Sequence, residues 1–275
     1  MDSFRIPGDP RPVVAGPATA RATCVLAPNP SPMTLDGTNT WLLAEPAADR
    51  AVVVDPGPLH EGHLAAVLAA ADERGTRIAE ILLTHGHPDH SEGAVRLAEL
   101  AGCGVRALDP AHRLGSEGLV EGDVVTAGGL ELRVLATPGH SWDSLSFVLP
   151  ADGVVLTGDT VLGRGTTVVA HPDGKLGEYL DSLARLRALV EAGGVDRVLP
   201  AHGPVLDDAR GVIEFYLEHR AQRLAQVEAA VAAGDRTARE VVERVYADVD
   251  KNVWWAAEMS VRAQLDYLKE RGTVG

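Results

Sequence analysis

The chain has 275 residues, of which 45% are hydrophobic, so it can bury one large core, or one core plus a small second domain. Its formal net charge of −14 opposes non-specific attraction to nucleic acid and to anionic membranes, although a local basic groove is compatible with it. The longest apolar runs fall far short of the ~20 residues that cross a bilayer, and Met1–Pro12 contains no apolar signal segment. Two cysteines are too few for a disulfide framework, so we expect a cytoplasmic protein with reduced thiols.

Strands and helices alternate in the prediction from residue 38 to residue 199. Short apolar runs bounded by Gly, Asp or Pro predict strands, and longer segments with apolar residues on one helical face predict helices that end at glycine. The predicted strands are Thr38–Leu43, Ala51–Val54, Ile78–Leu83, Val105–Leu108, Val124–Thr126, Leu130–Thr137, Leu145–Leu149, Val154–Thr157 and Val198–Leu199. The predicted helices are His63–Arg74, Ser91–Ala101 and Leu176–Val190.

The C-terminal part is predicted to be entirely helical. Asp207 and Asp208 can cap a long helix that reaches to about Ala233, where the sequence Gly-Asp-Arg-Thr breaks it. Two more helical patterns follow, at Ala238–Tyr246 and Asn252–Glu270. We therefore predict a catalytic domain at residues 1–205 and a small helical domain at residues 206–275.

Three imidazoles and a carboxylate occur within the six residues from His85 to His90, directly after an apolar strand. His85 and His87 alternate around Gly86, so both side chains can point the same way, and Asp89 and His90 then open the helix expected from Ser91. Divalent cations such as Zn²⁺ bind imidazole and carboxylate ligands. The motif therefore predicts a metal-binding turn.

Three further residues of the same chemical types occupy similar places. His140, Asp159 and His202 each lie just beyond a predicted strand and next to a glycine, where the backbone can bend close to an ion. A lone histidine is more often a surface or core residue, but the cluster with three matching positions predicts a dinuclear metal site. His63 has no such context and is predicted to be exposed on its helix, whereas His171 follows Asp159 in a Gly/Thr-rich stretch and stays a candidate.

The order and spacing of these residues resemble the metallo-β-lactamase-fold hydrolases. The segments at residues 29–42, 158–168 and 200–205 resemble, more narrowly, the β-lactamase-like protein 2 branch, which ends in a winged-helix-like domain. The resemblance covers nearly the whole chain, from about Asn29 to Leu268. It implies an α/β fold, namely a four-layer αβ/βα sandwich followed by a small all-helical domain, with the site at one edge of two sheets.

The resemblance also implies a role for each residue of the site. It implies two metals, usually zinc, with iron or manganese as alternatives. The first metal would be held by His85, His87 and His140, the second by Asp89, His90 and His202, and Asp159 would bridge both. Asp55 matches the first motif of the family and would orient ligand histidines. A hydroxide shared by the metals would attack a carbonyl carbon or a phosphorus, which makes Asp159 and Asp89 the expected catalytic carboxylates, the latter by orienting water.

The substrate stays open at this point. Relatives in the branch include a single-stranded-RNA endoribonuclease and thioesterases that act on carrier-bound acyl chains, and the wider superfamily adds glyoxalase-II-like thioesterases and lactonases. Two further classes are kept, an iron-dependent oxidoreductase on the same fold and a nucleic-acid-binding module. Arginines of the tail could contact RNA, although interleaved acidic residues favour a solvated helix face: Arg210, Arg220, Arg223, Arg239 and Arg244.

Residues predicted to contact the substrate belong to a proline-rich segment near residue 33, to the stretch after Asp159, and to the strand between them. They are Met33, Asn39, Arg164, Thr166, Thr167 and His171. The helical tail is expected to close over the site or to form a homodimer.

Overall fold

Two mixed β-sheets and seven α-helices make up the fold in the computed structural model, which describes residues 15–115 and 117–274. The strands are β1 (Gly16–Pro17), β2 (Ala22–Leu26), β3 (Asn39–Leu43), β4 (Arg50–Val54), β5 (Arg77–Leu82), β6 (Gly104–Arg106), β7 (Val124–Ala127), β8 (Leu130–Ala136), β9 (Leu145–Leu149), β10 (Val154–Gly158) and β11 (Arg197–Pro200). The helices are α1 (Glu61–Glu73), α2 (Pro88–Ser91), α3 (Ala94–Ala101), α4 (Leu176–Glu191), α5 (Ala209–Ala232), α6 (Ala238–Val245) and α7 (Trp254–Glu270).

The first sheet has the strand order β1-β2-β3-β4-β5-β6, and the second has the order β11-β10-β9-β8-β7. Three neighbouring pairs are parallel, namely β4 with β5, β5 with β6, and β10 with β11, and the others are antiparallel. Parallel neighbours need a long crossover connection, and α1, α3 and α4 provide it here.

The central strands, such as β3, β9 and β10, are buried on both faces because each sheet lies between the other sheet and a layer of helices. Trp41 and Leu43 of β3 point into the core between the sheets, whereas Leu42 packs with residues of α1 and α3. In the second sheet Leu156 of β10 joins the central core and Val155 packs towards α4 and α5. Three cores therefore separate four layers, and the expected αβ/βα sandwich is confirmed.

The tail begins with α5, whose first half packs against α4 through Val212 and Tyr216. The last part of α5 joins α6 and α7 around a separate small core that contains Val227, Val242 and Trp254. Thr237 and Glu240 form a capping box that starts α6. No strand follows β11 within the described residues, as predicted, while the domain boundary at residues 205 and 206 stays a prediction.

Some local predictions were wrong. β1 and β2 were not predicted, and the helix expected from Ser91 is interrupted, because α2 already begins at Pro88 and α3 begins at Ala94. Asp89 and His90 therefore lie inside a helix. His63 is buried rather than exposed, because α1 turns it towards β3, where its Nε2 lies 2.9 Å from Thr40 Oγ1. None of the described helices is long and apolar enough to span a membrane.

Candidate metal centre

The predicted site residues lie where the carboxyl ends of strands from both sheets meet. Asp55 follows β4, His85 follows β5, Asp159 follows β10 and His202 follows β11, while His140 follows β8 after a short turn. Backbone bonds join the two sheets at this edge, from Leu145 N to Thr84 O (2.7 Å) and from Asn39 N to Ala201 O (2.7 Å). The structure thus brings together residues as distant in the chain as Asp55 and His202.

Two glycines let the backbone turn tightly at this edge. Gly139 has φ +124°, and a Cβ added to it would lie 2.2 Å from Tyr179 N. Gly158 has φ +51°, and its added Cβ would lie 2.7 Å from Thr84 Oγ1. Side chains are excluded at both positions by conformation and by space, so glycine is required next to His140 and next to Asp159.

Three imidazoles form the first cluster. His85 Nε2 lies 3.0 Å from His87 Nδ1, and His140 Nε2 lies 3.1 Å from the same atom. His85 and His140 are buried, whereas about 38% of the His87 side chain is exposed, so the cluster has one side that opens to solvent.

Two imidazoles and two carboxylates form the second cluster. His202 Nε2 lies 3.3 Å from Asp89 Oδ2 and from Asp159 Oδ1. His90 Nε2 lies 3.6 Å from the same two oxygens. The other oxygen of Asp159, Oδ2, lies 3.5 Å from His140 Nε2, so this carboxylate stands between the two clusters.

The outer ring nitrogen of every clustered histidine meets a hydrogen-bond acceptor. His87 Nε2 donates to Asp173 Oδ2 (3.0 Å), His140 Nδ1 to Val168 O (2.9 Å), His202 Nδ1 to Gly37 O (3.1 Å), His90 Nδ1 to Asp55 Oδ2 (2.9 Å) and His85 Nδ1 to Thr84 Oγ1 (3.0 Å). A carboxylate or a carbonyl oxygen accepts but never donates, and the Thr84 hydroxyl is already donating to Asp55 Oδ2 (2.7 Å). Each neutral ring therefore has its proton outside and a lone pair inside.

Inward lone pairs at these separations suit a cation. Two unprotonated nitrogens cannot hydrogen-bond to each other, yet His87 and His140 present theirs 3.1 Å apart. In the second cluster the buried atoms His90 Nε2, Asp159 Oδ1 and His202 Nε2 have no hydrogen-bond partner among the described residues. Nitrogen and carboxylate donors in this number are those that zinc and similar ions bind in proteins, so the residues present fit a metal pair.

Burial and charge set the ionisation of the clusters. Burial, with help from the neighbouring His90, holds the pKa of His85 well below its ordinary value, and burial also lowers the pKa of His140. Burial opposes protonation of His90 too, but the carboxylates of Asp159, Asp89 and Asp55 outweigh it and raise its pKa well above the ordinary value. His202 and His90 overcome the burial of Asp159 and hold its pKa well below its usual range. Both shifts favour neutral imidazoles at His85 and His140, whereas at His90 a second proton and a bound cation would compete for the inner nitrogen.

Asp55 is hydrogen-bonded to one histidine of the second cluster and, through Thr84, to one histidine of the first cluster. It is buried with φ +51°, and its Oδ1 accepts a hydrogen bond from Thr84 N (2.8 Å). Its Oδ2 accepts from His90 directly and from Thr84 Oγ1, which in turn accepts from His85. One carboxylate therefore orients an imidazole in each cluster, which is the position that the resemblance implied for Asp55.

The residues predicted to contact a substrate fall into two groups. Asn39 and Thr167 are buried and hold the site's backbone: the Asn39 amide donates to Pro200 O (2.9 Å) and Gly203 O (2.8 Å), and the Thr167 hydroxyl donates to Asp159 O (2.6 Å). The others are at least partly exposed: Met33 on the loop before β3, Arg164 paired with Asp36, Thr166 near α5, and His171, whose Nδ1 lies 2.9 Å from Asp266 of α7. Contact of these six residues with a substrate stays a prediction.

Two aspartates at the site were missed. Asp173 bonds to His87, and Asp143 accepts a hydrogen bond from Gly86 N (2.9 Å) and one from the Ser141 hydroxyl. Asp173 is 86 positions away from His87, and no local pattern marks it. Asp143 lies three positions after His140, which is a signal that sequence reasoning could have used.

Comparison with known proteins places this chain in a family. Residues 33–202 match the metallo-beta-lactamase superfamily, and residues 237–275 match the beta-lactamase associated winged helix domain. The chain is 33% identical to the beta-lactamase-like protein 2 homolog of Drosophila melanogaster, over 93% of this chain and 91% of that protein. It is also 33% identical to the atrochrysone carboxyl ACP thioesterase of Aspergillus fumigatus, over 90% of this chain and 79% of that one.

The fold is shared with solved structures. A metallo-beta-lactamase family protein from Thermus thermophilus superimposes with a TM-score of 0.75 at 24% identity, over 92% of this chain and 95% of that one. Three observations support the same family: the matches to the family models, the four-layer sandwich, and the cluster of histidines and aspartates at the edge of the sheets. The chain therefore belongs to the metallo-beta-lactamase superfamily and is a hydrolase of that superfamily with a C-terminal winged-helix domain.

Proposed function

We propose that this protein uses two divalent metal ions, most simply zinc, to hydrolyse an acyl ester or thioester. The observation that best supports the metal part is the orientation of five imidazoles. Each has its outer nitrogen bonded to an acceptor and its inner nitrogen directed into one of the two adjoining clusters. In this proposal His85, His87 and His140 hold one ion, Asp89, His90 and His202 hold the other, and Asp159 contacts both.

The metals would supply Lewis acidity, which lowers the pKa of a coordinated water from 15.7 towards ~7 and polarises the substrate carbonyl. The protein's own residues fix the ligands: Asp55 holds His90 and, through Thr84, His85. Asp89 keeps about 30% of its side chain exposed, so its carboxylate can also accept a hydrogen bond from the attacking water. The backbone of Asp159 is held in place by the Thr167 hydroxyl, which donates to its carbonyl oxygen.

No thiol of the chain is suited to act as the nucleophile. Burial raises the pKa of Cys24 to about 12, and burial also raises the pKa of Cys103 to about 11. A nucleophilic cysteine needs the opposite shift, because the thiolate is the reactive form. The site itself contains imidazoles and carboxylates, which agrees with direct attack by water.

A thioester or ester is favoured over RNA for two reasons. A relative of similar identity over most of both chains is named as an acyl-carrier thioesterase. Four of the five tail arginines that could have contacted RNA already have partners within the chain. Arg220 is buried against Thr167 O and Arg223 donates to Val245 O, while the exposed Arg239 pairs with Glu243 and Glu258 and the exposed Arg244 pairs with Asp235. With a net charge of −14, little free positive charge is left to attract a phosphate backbone.

A substrate panel on protein of measured metal content tests the proposal. The panel contains an acyl-carrier-protein thioester, a simple acyl ester, a lactone, bis-p-nitrophenyl phosphate and single-stranded RNA, each with and without a chelator. We expect chelator-sensitive turnover of the thioester or the ester, with slower reaction of the other members. If RNA were cleaved in preference to the esters, the proposed substrate class would be wrong. If iron-loaded protein consumed oxygen, the protein would be an oxidoreductase and not a hydrolase of this kind.

A further inference from the structure

A short loop, residues 170–175, lies between the metal centre and the winged-helix domain. On one side its Asp173 Oδ2 accepts a hydrogen bond from His87 Nε2 at 3.0 Å. On the other side His171 Nδ1 lies 2.9 Å from Asp266 Oδ2, and His171 N makes a longer contact of 3.5 Å with Met259 O, both of them in α7. Two residues of one loop thus contact two different parts of the protein.

The loop is tightly folded, so these two ends are not independent. Gly174 N donates to Ala170 O (2.7 Å), and Lys175 N donates to Gly139 O (2.9 Å), next to His140. A Cβ added to Gly174 would lie 2.7 Å from Ala170 N and 2.9 Å from His140 O, so the loop packs too closely against the His140 turn for a side chain at position 174. Asp173 therefore lies in a loop that contacts both the His140 turn and α7.

Asp173 has a specific consequence for His87. Of the five clustered histidines, His87 is the most exposed, with about 38% of its side chain accessible, and water competes for its outer nitrogen. A carboxylate bound there keeps the proton on Nε2, leaves the lone pair on Nδ1 and makes that lone pair more basic. Asp55 does the same for His90 and His85 from the buried side, whereas His87 depends on a residue of the loop.

We propose that Asp173 is a positioning residue for His87 and that α7 of the winged-helix domain, through Asp266 and His171, holds Asp173 in place. The inference rests on the proposed metal-binding function of the site. If it is correct, the winged-helix domain contributes to the affinity with which the first position binds its metal ion. The contact between Asp266 and His171 is exposed and adds little to overall stability, so its effect is expected mainly on the metal.

Cobalt binding provides the test, because Co²⁺ can replace zinc and its visible absorption reports the ligand field. Metal-free full-length protein is titrated with Co²⁺ in the presence of a competing chelator. For Asp173→Ala we expect one of the two Co²⁺ equivalents, the one at the first metal position, to bind about 10–100-fold more weakly, with altered absorption bands. Asp173→Asn, which keeps an acceptor oxygen, should recover part of this loss. The matched control is Asp181→Asn, which changes an exposed aspartate in the groove between this loop and α7 and should bind like wild type.

A double-mutant cycle tests the role of α7. Asp266→Ala alone should weaken Co²⁺ binding about two- to fivefold, and it should have no further effect in the Asp173→Ala background, because its influence passes through Asp173. Wild-type affinity and spectrum in Asp173→Ala would overturn the positioning role while leaving the proposed function intact. Equal effects of Asp266→Ala in both backgrounds would overturn the link through α7. Wild-type protein that binds no metal would overturn the proposed function and this inference together.

Discussion

At the scale of single residues, the geometry of the site follows from where each imidazole keeps its proton. Carbonyl and carboxylate acceptors lie outside the ring of histidines, and the Thr84 hydroxyl is turned into an acceptor by its own bond to Asp55. These acceptors hold a proton on the outer nitrogen of each ring, so the inner nitrogen is the one that can bind a metal. The centre is organised in advance for cations by its surroundings.

Among the residues of the site, we expect substitution of Asp159 to reduce the rate of hydrolysis most. Its two oxygens face different clusters, so Asp159→Asn removes a negative charge from both while the side-chain volume is kept. We expect hydrolysis to fall about a thousandfold or more, since several kcal/mol of charge stabilisation are lost, with the fold retained. Steady-state kinetics and circular dichroism check this, with the exposed Asp72→Asn as the control; turnover near the wild-type rate would remove Asp159 from the centre.

The burial of His63 leads to a prediction about how stability depends on pH. Burial lowers its pKa to about 4 in the folded protein, against about 6.5 when unfolded. The unfolded chain therefore takes up the proton first, so the contribution of neutral His63 to stability is complete above about pH 6.5 and is lost as the pH falls to about 4. The total loss is up to about 3 kcal/mol.

Urea unfolding at pH 7.5, 6.0 and 5.0 measures this loss, with the non-titrating His63→Gln as reference. As the pH is lowered, the unfolding free energy of the wild type should fall more than that of the variant. A difference that does not change over this range would show that His63 does not titrate in the predicted way.

At the scale of helices and strands, most elements could be predicted from apolar periodicity and from the glycines that follow them. β2 was missed because its inward residues, Ala22 and Cys24, are small and give little hydrophobic signal. The burial of His63 was missed because its partner Thr40 lies on another strand. The clustered ligand types could be predicted because they sit at strand ends, whereas Asp173 reaches His87 only through the tertiary fold.

The strand-end glycines lead to a prediction at this scale. In Gly139→Ala the new Cβ would meet the Tyr179 backbone at 2.2 Å as well as straining φ, so α4 or the His140 turn must move. We expect a loss of more than about 4 kcal/mol, or failure to fold. Gly16→Ala has nearly the same positive φ, +125°, with nothing within 4 Å of the added Cβ, and should lose only about 1–3 kcal/mol.

Thermal unfolding of the two variants separates backbone strain from steric conflict. If both variants lost the same amount of stability, the close approach of Gly139 to α4 would not be the reason that position 139 needs glycine.

At the scale of the whole molecule, three cores bind the four layers together and a fourth, smaller core holds the winged-helix domain. The small core depends on few large side chains, and Trp254 is the largest of them. Its neighbour Trp255 is about 55% exposed, so the pair offers a comparison within one helix.

Trp254→Ala should destabilise this domain by about 3–5 kcal/mol, because it empties the centre of a small core. Trp255→Ala should change stability by less than about 0.5 kcal/mol. Differential scanning calorimetry of the first variant is expected to show a transition at lower temperature that precedes unfolding of the sandwich. Identical melting curves for the two variants would mean that Trp254 is not part of the core.

The central claim is that the clustered histidines and aspartates hold two metal ions that hydrolysis requires. Elemental analysis of the purified protein, combined with thioester or ester turnover before chelation, after chelation and after reloading, tests it most directly. We expect two equivalents of metal per chain, turnover that is lost when the metal is removed and regained when it is restored, and at most half of the metal retained by His202→Ala. Full turnover in metal-free protein, or two tightly bound equivalents in a variant that lacks both His85 and His202, would contradict it.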